Sequence, residues 1–362
     1  MAQRIYCNRK WRFIEHFDMS MVKEQVLLGC SIVDIPHTVK ETPYSYFDEH
    51  VYQMECCYQK SLFVPKQWEG MVVELVFEAI GHESDIYVNG NHVKHHTCGY
   101  TAIRTDVSEV LVYGQDNLIT VRVDTNEDIN QPPFGFVIDY MTFGGIYRDV
   151  YFEVKNRLNI ADVFCKPSLL EKISTRNKTA SQIKQINAQA ILKTDCYLSN
   201  EVFEAAVEER VFIKQYLDQE LLLSQPVGGL EAIDNTQLLR ITSAPLSVQL
   251  WDVVNPRVYV VKTDLYLDDE LVDSNETTVG FRRSEFLQDG YYLNGRKLKI
   301  RGLNRHQSYP YVGYAMPESM QRYDAKILKD ELCVNAVRTS HYPQSQYFID
   351  ECDRTGLLVF TE

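Results

Sequence analysis

Short runs of alternating apolar and polar residues dominate the first 155 positions of the chain. Residues 71–80 (MVVELVFEAI) and 118–123 (LITVRV) have the two-residue period of β-strands, whose side chains alternate between two faces. Residues 85–93 (DIYVNGNHV) place Asn89-Gly90 between two β-prone runs, and Asn-Gly suits both positive-φ positions of a type I′ hairpin turn. Strands at this spacing, without a long helical pattern, predict a two-sheet sandwich or jelly roll.

A second β-rich region follows over residues 156–282. Residues 259–267 (YVVKTDLYL) alternate strictly, which predicts a strand with one buried face. Residues 202–210 and 212–223 are compatible with helices, but the size of the region and its other strands favour strands of an immunoglobulin-like β-sandwich. Residues 168–184 are polar and predict a loop. Nothing in this region indicates chemistry, so we interpret it as a spacer.

The pattern changes again in residues 283–362. Residues 291–298 (YYLNGRKL) contain a second Asn-Gly hairpin signal. Three short apolar runs follow, each of which predicts a strand: residues 299–303, 335–339 and 357–360. The last of them is continuously apolar, which is typical of a strand buried on both faces.

Two helices are predicted between these three strands. The first begins at Pro317, which suits the first turn of a helix. Its predicted apolar face consists of Met320, Tyr323, Ile327, Leu328 and Leu332. The second covers residues 345–354, with Gly356 as its C-terminal cap. The order is strand, helix, strand, helix, strand, and the short connections predict a right-handed parallel sheet.

Polar residues follow each of the three strands. Asn304, Arg305 and His306 come after the first strand, and Arg338 and His341 come after the second. Glu362 follows the third. The carboxyl ends of parallel strands are where α/β folds bind their ligands, so we expect a site at this edge. Three strands do not close a barrel, which takes ~250 residues, so the sheet is either small and open or part of a longer protein.

Length and charge exclude several classes of protein. The 362 residues are enough for two or three domains, and we expect the divisions 1–155, 156–282 and 283–362. A net charge of −13 disfavours nucleic acid or an anionic membrane as partner. The chain has no apolar run of transmembrane length and no apolar stretch near its N-terminus, so we expect a cytoplasmic protein without a secretory signal.

The cysteines and histidines give weak metal signals. The nine cysteines are odd in number and include no C-x-x-C pair, so free thiols in a reducing compartment are expected. His92, His95 and His96 cluster beside the first hairpin. Metal binding there is the less favoured alternative to ordinary surface histidines, because a competent site needs three or four convergent ligands.

An aromatic segment, residues 134–149 (FGFVIDYMTFGGIYRD), interrupts the strands of the first region. It follows Pro132-Pro133 and carries Gly144-Gly145. Such a loop lines a ligand cleft in some proteins, with Asp139 as the polar group here, and in others is only a packed sandwich connection. Composition alone favours the second interpretation.

Four motifs make the whole chain resemble glycoside hydrolase family 2. The most specific begins Asn335-Ala-Val-Arg-Thr-Ser-His341-Tyr-Pro and continues through Asp353 and Gly356 to residues 357–360. The others are Arg301-Gly-Leu-Asn-Arg-His306, Phe143-Gly-Gly-Ile-Tyr-Arg-Asp149, and Val88-Asn-Gly followed by Gly99-Tyr100. The resemblance implies a multidomain protein: a sugar-binding β jelly-roll sandwich, an immunoglobulin-like β-sandwich and the start of a (β/α)8 TIM barrel, truncated after its third strand.

The resemblance also implies an activity. Within the family, Asn304-Arg-His-Gln followed by Ser308-Tyr-Pro is most similar to the bacterial β-galactosidases, whereas β-glucuronidases usually have Lys in place of Arg305. We therefore expect part of a retaining exo-glycosidase that hydrolyses terminal β-D-galactosides, with a β-glucuronidase as the alternative. Family 2 enzymes use two glutamates on barrel strands four and seven, one of them in an Asn-Glu pair.

The chain's own Asn-Glu pairs fall in the two sandwich regions, at Asn126-Glu127, Asn200-Glu201 and Asn275-Glu276. We interpret these as surface turns, so both catalytic glutamates would lie beyond Glu362 and this chain alone is expected to be inactive. Two other hypotheses remain: a non-catalytic carbohydrate-binding protein, and activity by complementation with a separate chain.

The resemblance implies roles for four substrate-binding residues. His306 and His341 would hydrogen-bond sugar hydroxyls, and Arg338 would orient the nucleophilic glutamate and keep it ionised. Asp139 would bind the sugar and contact a sodium ion. The Mg²⁺ ligands of the β-galactosidases would follow Glu362, so no cofactor is expected in this chain, although Mg²⁺ and Na⁺ are expected in the full-length enzyme, which is also expected to be a homo-oligomer. Glu362 has no assigned role.

Overall fold

The computed structural model describes residues 3–25, 28–45, 48–128, 140–208 and 210–362. The first region contains the strands β1 (Gln3–Tyr6), β2 (Trp11–Ile14), β3 (Ser31–Val33), β4 (Glu55–Val64), β5 (Val72–Phe77), β6 (Glu83–Val88), β7 (Asn91–His96), β8 (Ile103–Asp106), β9 (Gln115–Asp124) and β10 (Val150–Lys155). They pair antiparallel in two sheets, β1-β10-β5-β8 and β3-β2-β4-β9-β6-β7. Buried side chains of both sheets form one apolar cluster, so this region is a sandwich, as the alternation predicts.

Both predicted Asn-Gly hairpins are confirmed. Asn89 and Gly90 have φ angles of 51° and 82° between β6 and β7. Asn294 and Gly295 have φ angles of 50° and 70° in the later hairpin. The prediction holds in both places because the turn depends on local backbone preference and needs no distant contact.

The second region is a second sandwich. Its strands are β11 (Ile160–Leu169), β12 (Asn187–Ser199), β13 (Val211–Leu217), β14 (Glu220–Pro226), β15 (Glu231–Ile233), β16 (Thr236–Thr242), β17 (Leu246–Gln249), β18 (Trp251–Asp252), β19 (Asn255–Pro256), β20 (Tyr259–Leu267) and β21 (Glu270–Val279). One sheet has the order β11-β12-β16-β15 with β17 beside β12, and the other has the order β14-β13-β20-β21. Two apolar clusters lie between these sheets.

Two connections in this sandwich are helical: α1 (Ala180–Ile183) and α2 (Val202–Val207). The expectation of a strand over residues 202–210 is therefore wrong. Glu204, Ala205 and Ala206 are strong helix formers, and fully buried Val202 anchors the helix where it links β12 to β13. Residues 212–223 do form strands, but as parts of β13 and β14 joined by a two-residue turn.

The last region begins with the antiparallel strands β22 (Ser284–Leu287), β23 (Gly290–Leu293) and β24 (Arg296–Lys297). A parallel sheet follows, with β25 (Gly302–Asn304), β26 (Ala336–Thr339) and β27 (Leu358–Thr361) side by side in chain order. Helix α3 (Glu318–Lys326) continues as a π-helical turn over Ile327–Glu331 and connects β25 to β26. Helix α4 (Gln346–Thr355) connects β26 to β27 and ends at Gly356, whose φ of 80° confirms the predicted cap.

The predicted apolar face of α3 is partly wrong. Tyr323 and Leu332 are 58% and 52% exposed, whereas Gln321 and Ala325 are buried together with Leu328. Arg305 is buried against this helix, and Gln321 turns inward to accept a hydrogen bond from it. Hydrophobic periodicity could not reveal a helix that is oriented partly by a buried polar contact.

The last strand is also less buried than its apolar sequence predicts. Leu357 is buried, but Phe360 is 36% exposed. Within the described residues β27 pairs with β26 on one edge and has no strand on the other. The expectation of burial on both faces therefore fails here.

All nine cysteines are free, as expected. Across the described residues, none of the helices has the length and apolar character needed to span a membrane.

Candidate functional site

The parallel sheet brings the predicted strand-end residues together. Asn304 is level with Arg338 in the register of β25 and β26, so both strands end at the same edge. The rings of His306 and His341 lie with their centroids 5.4 Å apart. Arg338 Nη2 lies 3.3 Å from His341 Nδ1. The clustering follows from strand register alone, which explains why the sequence could predict it.

Glu362 joins this group. Its Oε1 accepts a hydrogen bond from Arg338 Nη2 at 2.6 Å, and its Oε2 lies 2.9 Å from His341 Nδ1. These hydrogen bonds, from His341 first and then from Arg338, hold the pKa of Glu362 below its usual value of 4.5. Glu362, for which the sequence predicted no role, therefore contacts both Arg338 and His341.

The contact with Glu362 determines the tautomer of His341. A carboxylate oxygen 2.9 Å from Nδ1 requires a proton between the two atoms. In the neutral ring, Nε2 then carries no proton and can only accept a hydrogen bond. A neutral His341 therefore offers a ligand an acceptor at Nε2.

Two tyrosines enclose the histidines. Tyr140, from the first sandwich, lies 4.9 Å from the ring of His306 and 5.7 Å from that of His341. Tyr342 is buried, and its hydroxyl lies 3.4 Å from His306 Nδ1. Tyr342 also stacks on Tyr100, with ring centroids 4.4 Å apart and planes inclined by 2°. Residues of the first sandwich therefore form one wall of the site.

A cleft of about 500 Å³ opens beside His306, between the first sandwich and the loop after β25. Its lining residues are Thr42, Pro43, Tyr44, Glu49, Tyr140, Met141, Phe143, His306, Ser308, Tyr309, Pro310, Tyr314 and Tyr342. Among these described residues, Glu49 supplies a carboxylate, and none is Lys or Arg. Tyr44 and Tyr309 in this lining are 82% and 52% exposed, so flat apolar faces and hydroxyls are available to a polar ligand with apolar faces.

The loop that was predicted to be an ordinary packed connection therefore lines the cleft through Tyr140, Met141 and Phe143. Asp139, the polar group proposed there and the suggested sodium contact, lies outside the described residues. Both tyrosines stand in segments that the sequence analysis singles out: Tyr140 belongs to the aromatic segment and Tyr342 to the Ser-His-Tyr-Pro motif. What the sequence could not show is that the two rings meet, because they lie about 200 positions apart.

Arg305 does not belong to the site. It is 6% exposed, and its guanidinium donates to Asp324, Gln321 and Gln344 behind the sheet. Its charge also lies 4.0 Å above the ring of Phe348. Burial lowers its pKa, and the contact with Asp324 opposes that effect. Arg305 therefore supports the helices and does not contact the cleft, so its identity carries no direct information about the ligand.

The histidine cluster of the first sandwich lies on strand β7. His92 Nε2 and His95 Nδ1 lie 2.9 and 3.0 Å from the same oxygen of Asp85. Glu83, Asp85 and His95 could converge on a cation, but Arg122 already donates to both carboxylates. The candidate ligand atoms already form hydrogen bonds within this group of side chains. A metal site there therefore remains the less favoured alternative.

The three Asn-Glu pairs lie away from the parallel sheet. Glu127 follows β9, Glu201 precedes α2 and Glu276 is on β21, and all three side chains are exposed. Their interpretation as surface residues agrees with this placement.

Comparison with known proteins identifies the fold as that of a three-part glycosidase. Sequence models described as the sugar binding domain, the family 2 glycosyl hydrolase domain and the TIM barrel domain of glycosyl hydrolases family 2 match residues 33–155, 158–282 and 286–362. The chain belongs to glycoside hydrolase family 2. The predicted fold class, a sugar-binding jelly roll, an immunoglobulin-like sandwich and an incomplete TIM barrel, is confirmed. The domain boundaries drawn from the sequence remain predictions.

The curated relatives are named as β-galactosidases or β-glucuronidases. A β-galactosidase of Thermoanaerobacterium thermosulfurigenes is 38% identical over 100% of this chain and 48% of that enzyme. A β-galactosidase of Thermoanaerobacter pseudethanolicus is 37% identical over 91% of this chain and 42% of that enzyme. A β-glucuronidase of Bacteroides fragilis is 27% identical over 99% and 49%. The chain thus spans less than half the length of these relatives.

Solved structures share the fold at lower identity. A Bifidobacterium dentium β-glucuronidase complexed with coumarin-3-O-glucuronide has a TM-score of 0.83 at 18% identity, over 100% of this chain and 61% of that one. Bacteroides uniformis β-glucuronidase 2, covalently bound to cyclophellitol-6-carboxylate aziridine, has a TM-score of 0.81 at 23% identity, over 100% and 42%.

Proposed function

We propose that this chain provides the substrate-binding part of a retaining exo-glycosidase that acts on terminal β-D-galactosides. The supporting observation is the cleft beside His306, with His341 next to it and aromatic faces around it. An aromatic face packs against the C–H face of a sugar, while imidazole nitrogens and hydroxyls satisfy the sugar's own hydroxyls.

The charge of the cleft favours a neutral sugar. A glucuronide carries a carboxylate, which needs a cationic partner when it leaves water. The described cleft-lining residues offer no Lys or Arg and include Glu49, whose negative charge would repel a uronate. Arg338 is paired with Glu362. A β-glucuronidase is therefore the second candidate, supported by the names of several relatives and not by this electrostatic environment.

We also propose that the chain alone binds its sugar without cleaving it. A retaining glycosidase needs two carboxylates ~5–5.5 Å apart on either side of the scissile bond. Beside the two histidines the described residues place Glu362, which Arg338 and His341 both hold in the ionised form. Glu49, the carboxylate in the cleft wall, belongs to the first sandwich and Glu362 follows β27, so we do not propose these two as the catalytic pair. Incubation with nitrophenyl β-D-galactoside should therefore release no nitrophenol, and clear turnover would contradict the proposal.

Calorimetric titration of the full chain with a non-hydrolysable β-thiogalactoside tests the binding function. We expect binding by the unaltered chain and an affinity at least tenfold lower in His306→Gln and His341→Gln, because each loses a hydrogen-bonding ring. His50→Gln is the matched control, since His50 is exposed beside Asp48 in the first sandwich. Tighter binding of glucuronate than of the galactoside, or equal affinity in all variants, would overturn the assignment.

A further inference from the structure

The segment that precedes β10 holds the first sandwich against the parallel sheet. Arg148 lies in this segment, and its side chain points toward the last region of the chain. Its Nη2 donates to Gln307 Oε1 at 2.9 Å and to the carbonyl oxygen of Pro343 at 2.8 Å. Its Nη1 lies 3.3 Å from the carbonyl oxygen of Tyr100, within its own sandwich. The two hydrogens of one nitrogen therefore contact two different loops of the barrel region.

Each of those loops carries one of the histidines. Gln307 follows His306 directly, and Pro343 comes two residues after His341. Gln307 is fully buried, and its backbone N–H donates to the hydroxyl of Tyr342 at 3.2 Å. The histidine rings themselves approach one another from different strands. Beyond strand pairing, the two loops are joined by Gln344 Nε2, which donates to the carbonyl oxygen of Arg305 at 2.6 Å, and Arg148 bridges them a second time from the first sandwich.

We propose that Arg148 is a positioning residue that fixes the relative placement of His306 and His341. Its guanidinium is bonded to the two loops, so it acts on the ligand through them. Hydrogen bonds from a guanidinium are charge-assisted and directional, which suits the alignment of two separate carbonyl acceptors. The consequence for sugar affinity rests on the proposed function, whereas the placement of the rings does not.

The neighbouring contacts have a different effect. Tyr100 stacks flat on Tyr342, which contacts the sandwich from the loop of His341 alone. Asp149 accepts a hydrogen bond from Tyr347 on α4 at 2.6 Å, and Tyr347 belongs to neither histidine loop. These contacts attach the sandwich to the barrel region, and Arg148 adds a fixed angle between the two histidine loops.

Nuclear magnetic resonance of the full chain with ¹⁵N-labelled histidine tests the proposal without any sugar. Signals of His306 and His341 are assigned from the His→Gln variants at each position. Arg148→Gln should shift both signals and leave those of His92 and His95, on the far sheet of the sandwich, unchanged. Arg104→Gln is the matched control, because Arg104 bonds Glu153 within the same sandwich and should leave both site signals in place.

A second variant separates positioning from general loss of structure. Gln307→Met removes the contact to one loop and keeps the bond from Arg148 to Pro343, so the His306 signal should move while that of His341 stays within its linewidth. Arg148→Lys should give intermediate shifts. Unmoved histidine signals in a folded Arg148→Gln chain, or equal movement of both in Gln307→Met, would overturn the proposal.

The affinity for β-thiogalactoside completes the experiment. Arg148→Gln should weaken binding at least tenfold, because a small misplacement of binding groups is costly, and Arg104→Gln should not. If the unaltered chain binds no galactoside, the proposed function fails, and the histidine signals still decide whether Arg148 positions the two rings. If the chain binds normally after Arg148→Gln, Arg148 is not a positioning residue for the ligand.

Discussion

Acid should weaken the first sandwich through His82. This side chain, directly before β6, is 6% exposed, and its Nδ1 has no hydrogen-bond partner in the described part of the chain. Burial lowers its pKa from 6.5 to about 4, and the charge of Asp124 opposes that shift only in part. Between these two pKa values the unfolded chain binds a proton that the folded chain does not, so stability falls as the pH falls.

The size of the effect follows from linkage. Lowering the pH from 7 to 5 should remove about 2 kcal/mol of unfolding free energy through His82 alone. His37 has a pKa lowered to about 4 by burial as well, so the unaltered sandwich should lose about twice that amount. His82→Gln cannot bind the proton and should therefore show about half of the acid-dependent loss, whatever its stability at pH 7.

Tryptophan fluorescence gives a local assay. The three tryptophans are Trp11 and Trp68 in the core of the first sandwich and Trp251 outside it. In a Trp251→Phe background, urea unfolding followed by fluorescence therefore reports this sandwich, and it is measured at pH 7 and pH 5 with and without His82→Gln. His50→Gln, at an exposed histidine, should lose as much stability as the background. An equal loss in the His82→Gln chain would refute the linkage reasoning.

Two further predictions concern the last region. Arg305→Met leaves Asp324, its partly exposed carboxylate partner, without a cation. The free energy needed to open α3 should then fall by about 2 kcal/mol, a figure that allows for screening of Asp324 by solvent. Hydrogen exchange in residues 318–326 should accelerate on the order of thirtyfold, and unchanged protection would contradict the structural role of Arg305. The lowered pKa of Glu362 means that its pairing persists above pH 4.5 and is lost as acid protonates it. Carbon-13 titration should show its midpoint moving up toward 4.5 in His341→Asn, and a fixed midpoint would exclude the hydrogen bond.

Features that depend on neighbouring residues could be predicted from the sequence. The turns at Asn89 and Asn294 require only local backbone conformations that Asn and Gly adopt readily. The grouping of His306, Arg338 and His341 required one further step, that parallel strands end at a common edge. Both kinds of inference rest on regular geometry and not on side-chain packing.

Features that depend on docking between regions could not be predicted. Tyr140 belongs to a loop whose composition favours a packed connection, and only the approach of the barrel region makes that loop a cleft wall. Arg305 stands beside a predicted site residue, yet its side chain is buried against α3 and α4. Helix α2 was missed because the strands around it favoured another strand, whereas the short connection between β12 and β13 forms a helix.

The stacked pair of Tyr100 and Tyr342 limits which domains of related proteins can be combined in one chain. The two rings belong to different domains and are nearly parallel at 4.4 Å, so replacing either one with a smaller residue would leave a gap between the domains. A chimera that joins this sandwich to the barrel of a relative should therefore be viable only when the relative supplies a matching aromatic ring. Substitutions at these two positions should accordingly occur together in functional hybrids, although they stand far apart in the sequence.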